Sequence, residues 1–167
     1  MMGRVRHGLC ARGRPGILAA MSSELQARDP DFEERVRASF AQQGLMSTFA
    51  AELDRVEPGL VEIVVPFADR LTQQDGFLHA GVVIAAMDSA CGYAALTLME
   101  PDFRVLTVEL KVNLLSVASG ERLLARGQVM RPGSTLTVCR GDAYAGTGEE
   151  ERHVATILTT MIGVGKV

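Results

Sequence analysis

The 167-residue sequence predicts an α+β fold in which a curved antiparallel β-sheet wraps one long, apolar central helix, with an extra helix near the N-terminus. Three observations predict it. Residues 79–99 form one alanine-rich apolar run bounded by turn signals. Two strand-like runs joined by Glu57-Pro58-Gly59 precede that run. Four more strand-like runs, separated by short turns, follow it. Successive strands joined by short turns pair antiparallel, and a helix apolar on every side must be enclosed.

The elements follow in chain order. Asp29-Pro30 reads as a helix start, a capping acid followed by Pro at the first position. Phe32, Val36 and Phe40 recur at i, i+4 and i+8, which predicts a helix over 30–43 that Gly44 stops. Residues 46–57 and Leu60–Pro66 predict a hairpin about Glu57-Pro58-Gly59. Thr72-Gln73-Gln74-Asp75-Gly76 is rich in turn formers. His79–Met99 is the central helix, ended by Glu100-Pro101-Asp102. The remaining strands are predicted at Val105–Val117, Arg122–Met130, Leu136–Ala145 and His153–Val164. The breaks between them are Ala118–Gly120, Arg131-Pro132-Gly133-Ser134 and Gly146-Thr147-Gly148.

The length fits one domain able to bury its own core. Hydrophobic residues make up 47% and charged residues 22%, an ordinary globular balance. Cys10, Cys91 and Cys139 are odd in number and lack metal-ligand spacing, which favours a reducing, cytoplasmic compartment and no resident metal. Eight aromatics without Trp make a base-stacking platform improbable. Residues 1–20 hold four arginines and no acid, so the remainder, with thirteen basic and twenty acidic residues, carries a net charge of −7. A body that acidic does not suit phosphate-backbone binding, so no nucleic-acid partner is expected. Nor is a membrane: the central run carries Asp88 at its middle, which costs about 3 kcal/mol in a bilayer.

The arginine-rich start lacks a secretory apolar run. Three readings stay open: a true start at Met21, a native tail, or a targeting segment. The expected division is a disordered extension over 1–22 and a single domain over 23–167.

Asp88 is the most informative residue. Val83, Ile84, Ala85, Ala86 and Met87 precede it, and positions i±3 and i±4 hold only Ile84, Ala85, Cys91 and Gly92. It therefore has no ion-pair partner on its own helix. It lies on a solvent-facing stripe, is paired from a distant strand, or is a carboxylate held in an apolar cleft to activate water or attack a carbonyl. The entry to the same helix, Gly76-Phe77-Leu78-His79-Ala80-Gly81, supplies a second feature. The first N–H groups of a helix lack internal partners and sit at its positive end, where they can stabilise an oxyanion. His79 by itself equally suits a capping role.

His79 and Asp88 are nine residues apart, about two and a half turns and 13.5 Å along the axis, so they face opposite sides. They cannot act on one carbon within one chain. If both serve one site, its halves come from two subunits, giving two equivalent sites at an isologous interface. Ala85, Gly92 and Ala95 would leave room beside Asp88 for the partner's loop.

Gln73-Gln74-Asp75-Gly76-Phe77-Leu78-His79-Ala80-Gly81 followed by Asp88 resembles the active-site segment of hotdog-fold thioesterases of the PaaI-like family. So do Ser89-Ala90-Cys91-Gly92-Tyr93-Ala94-Ala95, the stretch Leu106–Asn113, and Arg131-Pro132-Gly133-Ser134-Thr135-Leu136. The resemblance spans about residues 45–165. It implies a hotdog fold, hydrolysis of an acyl-coenzyme A, no cofactor beyond the coenzyme A of the substrate, and a homodimer at minimum, with a homotetramer expected. By the same resemblance, Asp88 is general base or nucleophile, and the amide at Ala80 or Gly81 is the oxyanion donor. His79 orients and polarises the thioester carbonyl. Gln73, where many members have Asn, holds water or substrate, with Gln74 as a substitute. Thr107 contacts the nucleophilic water. Leu114 and the turn at Arg131, Gly133, Ser134 and Thr135 lie along the substrate. Ala80 departs from the family by replacing the first Gly of His-Gly-Gly.

Two other functions fit the same fold. One is hydration or dehydration of 3-hydroxyacyl thioesters, which pairs a His with an acid. Downstream of Asp88 the one histidine is His153. The other is non-catalytic acyl-CoA binding, which does not need Asp88. Cys91 reads as a small buried residue, and Glu109 and Lys111 as sheet-face charges.

Overall fold

The computed structural model describes residues 25–148 and 150–165, so the expectations for the arginine-rich start lie outside the described residues. In chain order the elements are α1 (Phe32–Ala41), α2 (Gly44–Phe49), β1 (Glu52–Glu57), β2 (Leu60–Pro66), a 3-10 turn (Asp69–Leu71), α3 (Ala80–Leu96), β3 (Phe103–Leu114), β4 (Arg122–Pro132), β5 (Leu136–Thr147) and β6 (Glu150–Gly165). The six strands form one antiparallel sheet in the order β1-β2-β4-β5-β6-β3. The sheet curves around α3 in the hotdog arrangement. Val82, Val83, Ala86, Met87, Ala90, Cys91, Ala94 and Ala95 are all buried, so the helix is covered on most of its circumference. Its apolar character on every side is thereby accounted for.

Two glycines set how closely helix and sheet approach. Gly127 on β4 and Gly141 on β5 are register partners. A Cβ on Gly127 would lie 2.3 Å from the Ala90 carbonyl carbon and 2.4 Å from the Cys91 nitrogen. One on Gly141 would lie 3.0 Å from Cys91 Sγ. The middle of α3 therefore rests on backbone, and Cys91 is fully buried with its thiol pushed well above its ordinary pKa, chiefly by desolvation. That matches its reading as packing rather than a nucleophile.

Two local expectations are corrected. Residues 46–51 are not strand: the first helix ends at Ala41, with Gln42 as its C-cap, and Gly44 opens a second helix, α2. Met46 and Phe49, three apart, turn into the core together, and Ala50 in the left-handed region (φ 54°) closes the turn as Ala51 N–H bonds to Met46 O. The Asp29-Pro30 start is also displaced, to Phe32. Asp29 Oδ1 accepts from the Asp31 amide in a preceding turn, and its Oδ2 lies 3.1 Å from Arg35 Nε. The carboxylate is drawn inward to a guanidinium instead of capping the helix.

Arg35 ties α1 to the far end of α3. Its Nη2 donates to Leu96 O and Met99 O, both at 2.9 Å, and its Nη1 donates to Glu100 O at 2.6 Å. Leu96 O and Glu100 O also accept from the Met99 and Phe103 amides, so the guanidinium adds a second bond at these carbonyls and acts as a C-terminal cap supplied from another element.

Strand β3 is an edge. Among the described residues it pairs with β6 alone. Leu106, Val108, Leu110, Leu114 and Leu115 on and just beyond it are each 41–57% exposed. Its register shifts between Thr107 and Glu109. The bulge changes which residues face the helix, so Thr107 points to α3 while Glu109 on the other face bonds to Thr160 at 3.0 Å.

Candidate active site

Asp88 sits half-buried at the middle of α3, on a side that the sheet leaves partly uncovered. Thr107 Oγ1, from β3, donates to Asp88 Oδ1 at 2.9 Å. Oδ2 has no hydrogen-bond partner, and no basic side chain pairs with the carboxylate, among the described residues. Desolvation pushes the Asp88 carboxyl above its ordinary pKa, and the Thr107 bond opposes part of that rise. Asp88 lies with Ile84, Ala85 and Ser89 on the partly exposed stripe of α3. The carboxylate is held from a distant strand, by a hydroxyl and not by a cation. It opens onto a cavity of about 890 Å³ bounded by α1, α3 and β3, with Ser89, Gly92, Val105 and Met161 among its lining.

The entry to α3 is built separately. His79 is the N-cap, and its Nδ1 accepts from the Gly81 amide at 2.9 Å. The Nδ1 acceptor role places the proton of a neutral ring on Nε2. The Gly81 N–H is thereby occupied. The Ala80 N–H, first in the helix, forms no hydrogen bond among the described residues and is the open donor of the two. Before it, the Gln73 side chain turns into its own loop. Its Oε1 accepts from the Asp75 amide, and its Nε2 donates to Asp75 Oδ2 at 3.4 Å. Gln74 is exposed and reaches the same carboxylate at 3.3 Å.

Gln73, Ala80 and Leu114 line one groove of about 420 Å³ with Phe77, Val83 and Val117. That groove shares no lining residue with the Asp88 cavity. The separation expected from nine residues of helix is thus present within one chain. Gly133, Ser134 and Thr135 line a third, small cavity of about 70 Å³ beside Arg28 and Glu100. Arg131 lies outside it on β4, exposed, at a register shift next to Val129. The structure therefore places Asp88 and Thr107, then Gln73, Ala80 and Leu114, then Gly133, Ser134 and Thr135 in three separate places, with Gln74 and Arg131 lining none of them.

His153 is far from these places in chemical terms. Its Nε2 lies 3.0 Å from Asp142 Oδ1, and its ring stacks on Tyr144 at 5.0 Å. Among the described residues no histidine lines the Asp88 cavity. Among the described residues no three His, Cys, Asp or Glu side chains converge to hold a metal, and no helix is long and apolar enough to cross a membrane.

One part of the site was not visible in the sequence. Gln43, just beyond α1, donates from Nε2 to Tyr93 Oη at 3.3 Å and accepts at Oε1 from Ser89 Oγ at 3.2 Å. Ser39 Oγ lies 3.4 Å from the same Tyr93 hydroxyl. This network lines the Asp88 cavity. Its one sequence signal is that Ser39, Gln42 and Gln43 interrupt a charged helix surface with uncharged polar groups.

Comparison with known proteins supplies a further finding. The model of the thioesterase superfamily matches residues 75–151, from the loop before His79 to the start of β6. A crystal structure of a thioesterase family protein from Silicibacter pomeroyi is 50% identical, covers 81% of this chain and 99% of its own, and superposes with a TM-score of 0.79. A Saccharolobus solfataricus protein provisionally assigned as an esterase is 35% identical over half of this chain, and the match spans 59% of that protein's length. A medium/long-chain acyl-CoA thioesterase of Escherichia coli, YigI, is 29% identical over 52% of this chain and 63% of its own.

Proposed function

The chain belongs to the thioesterase superfamily, and from that membership we propose that it hydrolyses an acyl-coenzyme A to free acid and coenzyme A, at sites shared between two subunits. The observation that carries the reading is Asp88: a carboxylate without a cation, raised in pKa by desolvation, held by one hydroxyl and open to a cavity.

In this reading the thioester carbonyl oxygen rests on the Ala80 N–H at the start of the partner subunit's α3, where the helix dipole favours the developing negative charge. Asp88 takes a proton from water, and the hydroxide adds to the carbonyl carbon. Alternatively the carboxylate adds directly and water hydrolyses the resulting anhydride. In both routes the carbon–sulfur bond breaks and coenzyme A leaves as a thiolate. Thr107 fixes one carboxylate oxygen so that the other serves as base or nucleophile. His79, through Nε2–H, orients the carbonyl, and Gln73 with its loop holds the substrate against the partner's half.

The two-subunit site is supported by the separation of the Asp88 cavity from the Ala80 groove, and by β3. An apolar edge strand with unpaired backbone groups is stabilised by a second copy of the same edge. A dimer is the minimal unit, and a tetramer of two such dimers is the assembly implied by the PaaI-like resemblance. YigI acts on medium and long acyl-CoA thioesters, which supports coenzyme A as the carrier here. A hydratase pairs an imidazole with the acid as proton donor and acceptor; His153 is committed to Asp142 and Tyr144 elsewhere, and in this reading His79 orients the carbonyl.

The test is release of free thiol from an acyl-CoA by the purified protein, followed with a thiol reagent. Binding without release of thiol would overturn the reading in favour of a non-catalytic acyl-CoA protein. Loss of the double bond of an enoyl thioester with the thioester intact would overturn it in favour of a hydratase.

A further inference from the structure

The hydroxyl that holds Asp88 has a second acceptor within reach. Thr107 Oγ1 lies 2.9 Å from Asp88 Oδ1 and 3.5 Å from Met161 Sδ, placed to donate to either. A hydroxyl carries one proton, so the two acceptors compete for it. The surroundings fix Met161 in this position. It is the register partner of Thr107 across β3 and β6, and it is fully buried. A Cβ on Gly92 would lie 4.0 Å from its methyl carbon. Met161 also forms part of the wall of the Asp88 cavity.

The charge on Asp88 decides how that proton is shared. An ionised carboxylate is a strong acceptor and a thioether a weak one, so the carboxylate holds the larger share. The sulfur still draws on the bond and weakens the hold on the anion. Protonation at Oδ2 turns Oδ1 into the carbonyl oxygen of a neutral acid, and the sulfur then gains share. Both effects favour the protonated acid over what a site without sulfur would give. The other ionisable groups are set apart from this exchange. Arg35 on α1, Tyr93 on α3, Asp102 before β3 and Arg104 on β3 line the same cavity, and no other element brings an ionisable side chain to it among the described residues. Cys91, on the helix three residues after Asp88, keeps its proton. The raised pKa of Asp88 comes from desolvation, with the Thr107 bond opposing it.

We propose that Met161 is a positioning residue of the hydrolytic site: its sulfur competes with Asp88 for the Thr107 hydroxyl proton and so keeps the carboxylate a stronger base. The inference rests on the reading of Asp88 as base or nucleophile and adds a residue that acts on it through Thr107.

Titration of the Asp88 carboxyl tests it on the intact protein without turnover. The probe is the carboxyl-carbon NMR resonance of isotope-labelled aspartate, the Asp88 signal being the one absent from Asp88→Asn. Met161→Leu keeps the bulk, removes the sulfur, and should lower the titration midpoint by about half a pH unit. The acid limb of kcat should move down with it. In a Thr107→Val background the same substitution should leave the midpoint where Thr107→Val put it, because the sulfur acts through the hydroxyl, whereas a packing effect would persist there. Should Met161→Leu fail to fold, norleucine incorporated in place of methionine exchanges sulfur for methylene at the same shape and is read in the same two backgrounds. An unchanged midpoint on loss of the sulfur, or an equal shift with and without the Thr107 hydroxyl, would overturn the proposal. The hydrolytic reading fails separately: it is lost if no acyl-CoA yields free thiol, whatever the midpoints.

Discussion

Thr107 on the edge strand donates its hydroxyl proton to Asp88 on the central helix at 2.9 Å, with no cation beside the carboxylate among the described residues. Burial raises the Asp88 pKa and this bond lowers it, so the pair sets the pH at which the carboxylate becomes a base. Asp88→Asn should reduce thiol release by about 10²–10⁴-fold with the fold intact. In the unaltered protein the rate should rise with pH along an acid limb lying above the ordinary carboxylate range. Thr107→Val removes the opposing bond and should move that limb to higher pH, read from kcat against pH.

The same shift has a consequence for stability. A carboxyl whose folded pKa is raised contributes stability below its unfolded pKa and loses it as pH rises through the folded value. At neutral pH ionised Asp88 therefore costs stability. Asp88→Asn should melt at a higher temperature than the unaltered protein at neutral pH. The advantage should disappear at a pH below the ordinary Asp range, where both side chains are neutral. Equal melting temperatures at neutral pH would contradict the desolvated placement.

Ala80 tests the oxyanion role without disturbing the fold. It is the first residue of α3, where Pro is tolerated because the N–H has no helical partner. His79 before it is already extended, at φ −61° and ψ 138°, as a residue preceding Pro must be. Ala80→Pro removes only the donor and should cost about 10²–10³ in kcat, with circular dichroism unchanged. Mixing subunits of Ala80→Pro and Asp88→Asn should restore activity, since a mixed dimer holds one site with both intact halves. Mixtures no more active than their parents would exclude a shared site.

Gly127 and Gly44 form a matched pair for packing. Gly127→Ala drives a Cβ to within 2.3 Å of α3 backbone and should destabilise by about 3 kcal/mol or more in urea unfolding. Gly44 has nothing within 4 Å of its would-be Cβ and begins α2. Gly44→Ala should cost nothing and gain up to about 1 kcal/mol.

Arg35→Met should leave three α3-end carbonyls and the Asp29 carboxylate without their guanidinium. With Asp29 only 5% exposed, the loss should be about 3 kcal/mol, seen as a lower midpoint in denaturant.

The architecture was legible where the signal is local. The Glu57-Pro58-Gly59 turn, the apolar run of α3 and the strand runs after it each carry their own period or punctuation, and the structure reproduces them with shifted ends. Residues 46–49 read as strand because Met46-Ser47-Thr48-Phe49 is too short for its period to separate helix from strand. Burial of Met46 and Phe49 on one side settled it, and that depends on the rest of the core.

For the site, the sequence by itself determined the odd acid in an apolar helix, the open helix start, and the nine-residue interval that puts them on opposite sides. These are properties of one helix and need no partner. Tertiary structure decided which hydroxyl meets Asp88, because a bulge in β3 changes which residues face the helix at Thr107. It decided that the Gly81 amide is spent on His79 while that of Ala80 stays open. It also brought Gln43 from the α1–α2 junction to the cavity wall, 46 residues in sequence from Ser89. Such contacts join segments with no shared periodicity, so only packing around α3 can specify them.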